Sequence, residues 1–204
     1  MATISYAITA CNEHEELDRL LQLLNNNIRD IDEVVIQLDT NTTEKVKEVC
    51  YKYPAFTLIE FPLNNNFASF KNNLTKHCNR DYIFQIDADE VPELSLLESL
   101  SSILDDNSNV DIFLTPRINT VEGLTQEHIN KWGWSLNEKG WINYPDYQWR
   151  IYKNNPEIKW INKVHERLIG FKEFAYLPDQ DGYNLLHPKT IERQEKQNQF
   201  YNTL

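Results

Sequence analysis

Three carboxylates crowd into four positions at Asp87-Ala88-Asp89-Glu90, directly behind the apolar run Tyr82-Ile83-Phe84-Gln85-Ile86. A buried strand ordinarily ends in a Gly, Asn or Pro turn. Here it ends in like charges that repel one another, so positive charge has to be supplied to them. Oxygen-only ligands suit a hard divalent cation, Mg²⁺ or Mn²⁺, which can also hold phosphate oxygens. Asp87 and Asp89 are therefore candidates for a metal–diphosphate site. The same residues could also form a solvated acidic turn before a helix that starts near Pro92, and Asp-x-Asp alone does not separate the two.

The surrounding elements favour the site. Thr3 to Ala10, Glu33 to Leu38, Thr57 to Phe61 and Tyr82 to Ile86 read as short strands, the first two buried. Helical spacing falls between them. Asn12 is expected to cap the first helix, with Glu15 as its capping-box partner and Leu17, Leu20, Leu21 and Leu24 on one face. Thr42 or Thr43 is expected to cap the second, and Phe67 to Cys78 forms the third. Strands alternating with amphipathic helices predict right-handed βαβ units, a parallel sheet, and a ligand at the carboxyl ends of its strands. Those ends carry Cys11-Asn12-Glu13, Asp39 and Asp87-Ala88-Asp89, three polar clusters expected to share one crevice.

Beyond Pro92 the pattern predicts a helix through Leu94, Leu97, Leu100 and Leu104, then a strand from Val110 to Thr115. Val121 to Tyr147 is loop-rich and holds Trp132, Trp134, Trp141, Tyr144 and Tyr147, either a satellite core or a wall for stacking a sugar ring. Gln148 to Lys153 and Lys159 to Ile169 read as a β pair, Tyr183 to His187 as a last strand, and Ile191 to Tyr201 as a polar helix.

Composition narrows the partners. At 204 residues and 41% hydrophobic, the chain can bury one sizeable core, and it contains no apolar run of membrane-spanning length. A net charge of −11 with no basic stripe argues against a nucleic-acid partner. Cys11, Cys50 and Cys78 are odd in number and lack zinc-like spacing, which points to a reducing, cytoplasmic setting (host cytoplasm if the source is viral). The start lacks a secretion signal. Because the chain runs out inside a polar helix, it can also be one domain of a longer polypeptide.

Four of these motifs, in this order, resemble family 2 glycosyltransferases of GT-A fold: Thr9-Ala10-Cys11-Asn12-Glu13, Asp39, the helix start Asn66 to Asn72, and Gln85-Ile86-Asp87-Ala88-Asp89-Glu90. Val164-His165-Glu166 and His187 extend the likeness more loosely to bacterial and viral surface-glycan transferases. The resemblance implies an α/β GT-A fold with a mostly parallel sheet in one domain, 1–204. Residues 1–92 would be the nucleotide-sugar half, and residues 93–204 a smaller β-rich acceptor and catalytic half. It implies a UDP-sugar donor packed against Thr9, Ala10, Cys11, Asn12 and Glu13, its uracil read by Asp39. Phe67 and Lys71 would lie near base or phosphate, and Asp87 and Ala88 near the ribose. Mn²⁺ or Mg²⁺ would be held by Asp89, Asp87 and His187.

Transfer to a glycan hydroxyl also needs a base. Glu166 is the first candidate and His165 the second, with Asp146 and Asp181 in reserve. Strand alternation is expected to put His165 and Glu166 on opposite faces. Gln148-Trp149-Arg150 without a membrane span departs from the processive synthases and implies the addition of one sugar at a time. A non-catalytic sugar-nucleotide module and a metal-dependent nucleotidyltransferase are the alternatives. The latter ordinarily needs a Gly-rich phosphate loop, which Thr9 to Glu13 does not provide.

Overall fold

The structure, a computed structural model, describes residues 1–201. Its first half alternates strand and helix: β1 (Ile4–Ala10), α1 (His14–Asn27), β2 (Glu33–Asp39), α2 (Glu44–Tyr51), β3 (Thr57–Phe61), α3 (Phe67–Thr75) and β4 (Tyr82–Asp87). β1, β2, β3 and β4 are parallel, with β1 between β2 and β4. β1 and β2 are buried on both faces, as continuous apolar strands require. Successive residues serve opposite layers. Tyr6 and Ile8 pack toward the leucines of α1, while Ala7 packs toward Ala68 and Leu74 of α3.

The second half continues the same sheet. After β5 (Val91–Pro92) and α4 (Leu94–Asp106) come β6 (Ile112–Thr115), β7 (Arg117–Glu122), α5 (Gln126–Trp132) and β8 (Gln148–Lys153). β8 slots antiparallel between β4 and β6. β9 (Lys159–Ile161) and β10 (Arg167–Ile169) form a separate hairpin, followed by β11 (Phe174–Tyr176), β12 (Leu185–Thr190) and α6 (Ile191–Tyr201). The main sheet runs β11-β6-β8-β4-β1-β2-β3, mostly parallel, and a small sheet runs β5-β12-β7. No helix among the described residues is long and apolar enough to cross a membrane.

Several local expectations need correction. Gln148 to Lys153 does not pair with the segment after it. Ile151 and Tyr152 are fully buried on opposite faces, which only the interior of the main sheet can satisfy. Lys159 to Ile169 is not one strand, because positive φ at Asn162 (72°) and His165 (52°) folds it into a hairpin. Asn12 does not cap α1. Glu13 takes that position and turns its carboxylate back onto the Cys11 and Asn12 N–H groups, at 2.8 and 3.0 Å. Thr43 occupies the α2 cap without a side-chain bond, while the Thr42 hydroxyl donates to Cys11 O at 2.6 Å. The last strand runs on to Thr190 through Pro188. β5 pairs with it only at Leu185 and Leu186, so beyond them one side is free and a missing N–H is tolerated.

Candidate active site

β4 ends on Asp87, and a tight turn closed by Glu90 N donating to Asp87 O (2.8 Å) presents Asp89 and Glu90. Glu90 is fully buried. An unpaired carboxylate there would be strongly destabilising, and two guanidinium groups prevent it. Arg150 of β8 donates Nε and Nη2 to the two Glu90 oxygens at 2.9 and 2.7 Å, and Nη2 also to Asp87 Oδ2 at 2.8 Å. Arg117 of β7 donates to Glu90 Oε1 at 2.8 Å and reaches Asp146 Oδ2 at 2.6 Å. Burial pushes the Asp87 carboxyl up, but the Lys71 and Arg150 charges outweigh it and hold the group well below the usual range.

The other oxygen of Asp87 accepts from Thr9 Oγ1 at 2.8 Å and lies 3.5 Å from the Lys71 ammonium. Lys71 is buried on the inner face of α3 and donates to Glu166 Oε1 at 2.6 Å, with the Trp160 ring 4.9 Å from its nitrogen. One ammonium thus joins the end of β4 to the β9–β10 turn. Because His165 and Glu166 sit in that turn and not in a strand, alternation does not separate them. Both line one cleft of ≈ 550 Å³ together with Asp87, Asp89 and His187.

β12 brings the remaining groups. Its alternating burial puts His187 and Lys189 on one face, and its parallel register sets His187 beside Asn119 of β7. His187 Nε2 lies 3.3 Å from Asp89 Oδ2, and Lys189 (3.8 Å) and Arg193 of α6 (3.3 Å) approach the same oxygen. Burial would raise the Asp89 carboxyl, but His187 when protonated, and then the Lys189 and Arg193 charges, depress it. Burial depresses His187 itself.

The orientation of Asn119 bears on a metal. Asn119 Nδ2 donates to Asp146 Oδ2 at 2.8 Å, so its Oδ1, 2.6 Å from His187 Nδ1, accepts the proton of that nitrogen. Neutral His187 then turns an Nε2 lone pair toward a carboxylate oxygen, two acceptors at the spacing of neighbouring ligands on one cation. Among the described residues no three His, Cys, Asp or Glu side chains gather into a metal cage. Asp89 and His187, two acceptors so placed, fit an ion that would take its remaining ligands from outside the protein, as Mg²⁺ commonly does.

Asp39 and the Thr9–Glu13 loop occupy a second corner. Asp39 is buried and accepts from Leu63 N at 3.2 Å and Asn41 N at 3.4 Å. Burial, then Asp39 and Glu13, push the neighbouring Cys11 thiol up to about 11. Phe67 starts α3 and donates its N–H to Lys163 O at 3.0 Å. β2 lies two inter-strand spacings from β4, roughly 9–10 Å, so this corner adjoins the cleft without lining it. Of the reserve acids, Asp146 lines the cleft, while Asp181 lies in a different cavity. Sequence reasoning did not assign Glu90, Arg117, Arg150, Asn119, Lys189 or Arg193 to the site. A charged residue inside the apolar strand Trp149-Arg150-Ile151 was the readable signal for Arg150, and period-two spacing from His187 was that for Lys189.

A mostly parallel sheet with an acidic turn at the end of its central strand is the architecture of the GT-A glycosyltransferases. The chain belongs to glycosyl transferase family 2, whose model matches residues 5–178. A crystal structure of S. aureus TarS 1–349 in complex with UDP superimposes with a TM-score of 0.61 at 14% identity, covering 92% of this chain and 60% of that one. The TarS 1–349 complex with UDP-GlcNAc gives 0.59 at 16% identity, covering 93% and 59%. At these identities the likeness concerns the fold. The chain spans 37% of a longer TarS structure. A search of curated protein sequences returned no match.

Proposed function

We propose that this chain transfers one sugar from a UDP-sugar to a hydroxyl of a glycan acceptor, with a divalent ion and with inversion at the anomeric carbon. The convergence of Asp87, Asp89, His187 and the Lys71–Glu166 pair on one cleft carries this reading. The spacing of the Asp39 corner supports a nucleoside diphosphate donor: uracil against Asp39 and the Thr9–Glu13 loop leaves the diphosphate near Asp89. The UDP and UDP-GlcNAc complexes of TarS agree with that choice.

Mn²⁺ or Mg²⁺ bound by Asp89 and His187 would supply positive charge to the diphosphate leaving group. Asp87, held by Thr9 and Arg150, borders the ribose. Lys189 and Arg193, aimed at Asp89, would add positive charge for the phosphate oxygens. Glu166 accepts the proton of the attacking hydroxyl, and Lys71 fixes its position. Calorimetry tests the reading: UDP should bind much more tightly with Mn²⁺ than with EDTA, and Asp89→Ala should abolish the difference. Equal affinity under both conditions rejects the metal role. Release of UDP from a panel of UDP-sugars, with none from ADP- or GDP-sugars, is the expected donor profile.

A further inference from the structure

A second cavity of ≈ 510 Å³ lies outside the catalytic cleft, between the Asn137–Tyr144 segment and the loop carrying Asp179, Gln180 and Asp181. The Trp141 and Tyr144 rings meet edge to face, centroids 4.7 Å apart, and form an apolar corner. The facing loop offers a carboxamide at Gln180 and carboxylates at Asp179 and Asp181. We infer that this cavity binds a neutral oligosaccharide. Its role as the seat for acceptor sugars beyond the reacting one rests on the function proposed above.

The chemistry of the two walls selects this ligand. A pyranose ring has a C–H face that packs on an aromatic ring, and an edge of hydroxyls that both donate and accept. Carboxylates accept from such hydroxyls, and a carboxamide does both. Anionic ligands are disfavoured, because Glu138, Asp179 and Asp181 outnumber the single cation Lys139. Cationic ligands find their place taken: the Lys139 ammonium sits 4.3 Å from the Trp141 ring centre and 3.4 Å from Asp181. A neutral polyol leaves the Lys139–Asp181 pair in place by packing on the part of the Trp141 and Tyr144 surface that Lys139 does not cover.

Both walls are fixed in place. Asn137 Oδ1 accepts from the Lys139 and Trp141 N–H groups at 3.0 and 2.9 Å, which locks the turn that presents Trp141. Buried Asn184 ties the walls together: its Oδ1 accepts from the Tyr144 hydroxyl and its Nδ2 donates to Gln180 O, each at 2.9 Å. The same segment reaches the catalytic cleft. Ile142, next to Trp141, lines that cleft and bridges to Asn119, the residue that orients His187. An extended glycan held at Trp141 would therefore lie about two inter-strand spacings, roughly 10 Å, from His187.

The test is titration of the full chain, followed through its tryptophan indole N–H signals by NMR, with Trp141→Phe to assign the signal. Maltotetraose, cellotetraose, chitotetraose and choline chloride are the probes. At least one tetrasaccharide should move the Trp141 signal, with any shift of Trp134, Trp149 and Trp160 in the catalytic cleft smaller than that of Trp141. Gln180→Ala combined with Asp181→Ala, both exposed residues, should weaken that binding about tenfold, equivalent to ~1.4 kcal/mol. The inference is overturned if no tetrasaccharide moves Trp141, if the double variant binds unchanged, or if choline moves Trp141 where the sugars do not. UDP titrated with Mn²⁺ into the same sample separates the two proposals. Sugar binding without UDP binding removes the donor reading alone, and UDP binding without sugar binding removes this one alone.

Discussion

The two polar corners of the sheet solve the same problem differently. At the ends of β1 and β2, Glu13 and Asp39 are satisfied mainly by backbone N–H groups of their own loops or the next connection: Cys11, Asn12, Asn41 and Leu63. At the end of β4, Asp87 and Glu90 take their partner Arg150 from 63 and 60 residues along the chain, and Asp89 takes Arg193 from 104. Backbone donors are neutral and in place whenever the loop is folded. Imported cations bring charge that a bound diphosphate can share or compete for. Under the function proposed above, the first corner would meet a neutral base and the second would exchange ionic partners with the diphosphate.

If that contrast is right, removing an imported cation should do the most damage. Arg150→Met leaves Glu90 buried with one partner fewer, and breaking such a pair costs about 3–5 kcal/mol. Urea unfolding should show a loss of that order, and a loss below 1 kcal/mol would mean that Glu90 finds water or protonates. Next comes the group held by Lys71. Glu166→Gln keeps the shape but loses the proton acceptor, so transfer should slow by roughly 10²–10⁴-fold with UDP affinity unchanged. A near-normal rate in Glu166→Gln with inactive His165→Ala would move the base to His165.

The backbone-satisfied corner should respond more mildly. Asp39→Ala should weaken UDP binding by about 1–3 kcal/mol, the usual loss for a hydrogen bond to a charged group. A purine nucleotide competing as well as UDP in the wild type would show that Asp39 does not read the base. The smallest effect is expected far from both corners, at Asp111. Partial burial raises its carboxyl, but Lys153 and the Lys172 and Glu173 N–H groups bring it below the ordinary 3.8. A carboxyl depressed in the folded state contributes stability above its unfolded value and loses it as pH falls through the folded one. The melting temperature of wild type should therefore exceed that of Asp111→Asn at neutral pH, and the gap should close on acidification below 3.8.

Legibility followed sequence distance. The parallel strands are readable as short apolar runs, and the leucine faces of α1 and α4 because each helix buries a periodic stripe of its own residues. β8 was recognised as a strand but given the wrong neighbour, since pairing depends on which sheet has room for two buried faces. The β9–β10 turn was missed because its positive-φ positions are Asn162 and His165 and not glycines. The aromatic stretch also departs from a buried core: Trp132, Trp134, Trp141, Tyr144 and Tyr147 all keep part of their surface open.

By itself the sequence determined the α/β alternation, the strand ends that carry Asp39 and Asp87-Ala88-Asp89, and the need for positive charge at the second of these. These follow from local periodicity and from repulsion between neighbours in the chain. Only the tertiary structure decided which groups supply that charge. Arg150, Arg117, Lys71, Lys189 and Arg193 come from five separate elements, and apart from the alternation that sets Lys189 on the face of His187, nothing in their local spacing encodes that they meet. Burial decides it, because a carboxylate removed from water must find its partner wherever the packed sheet places one.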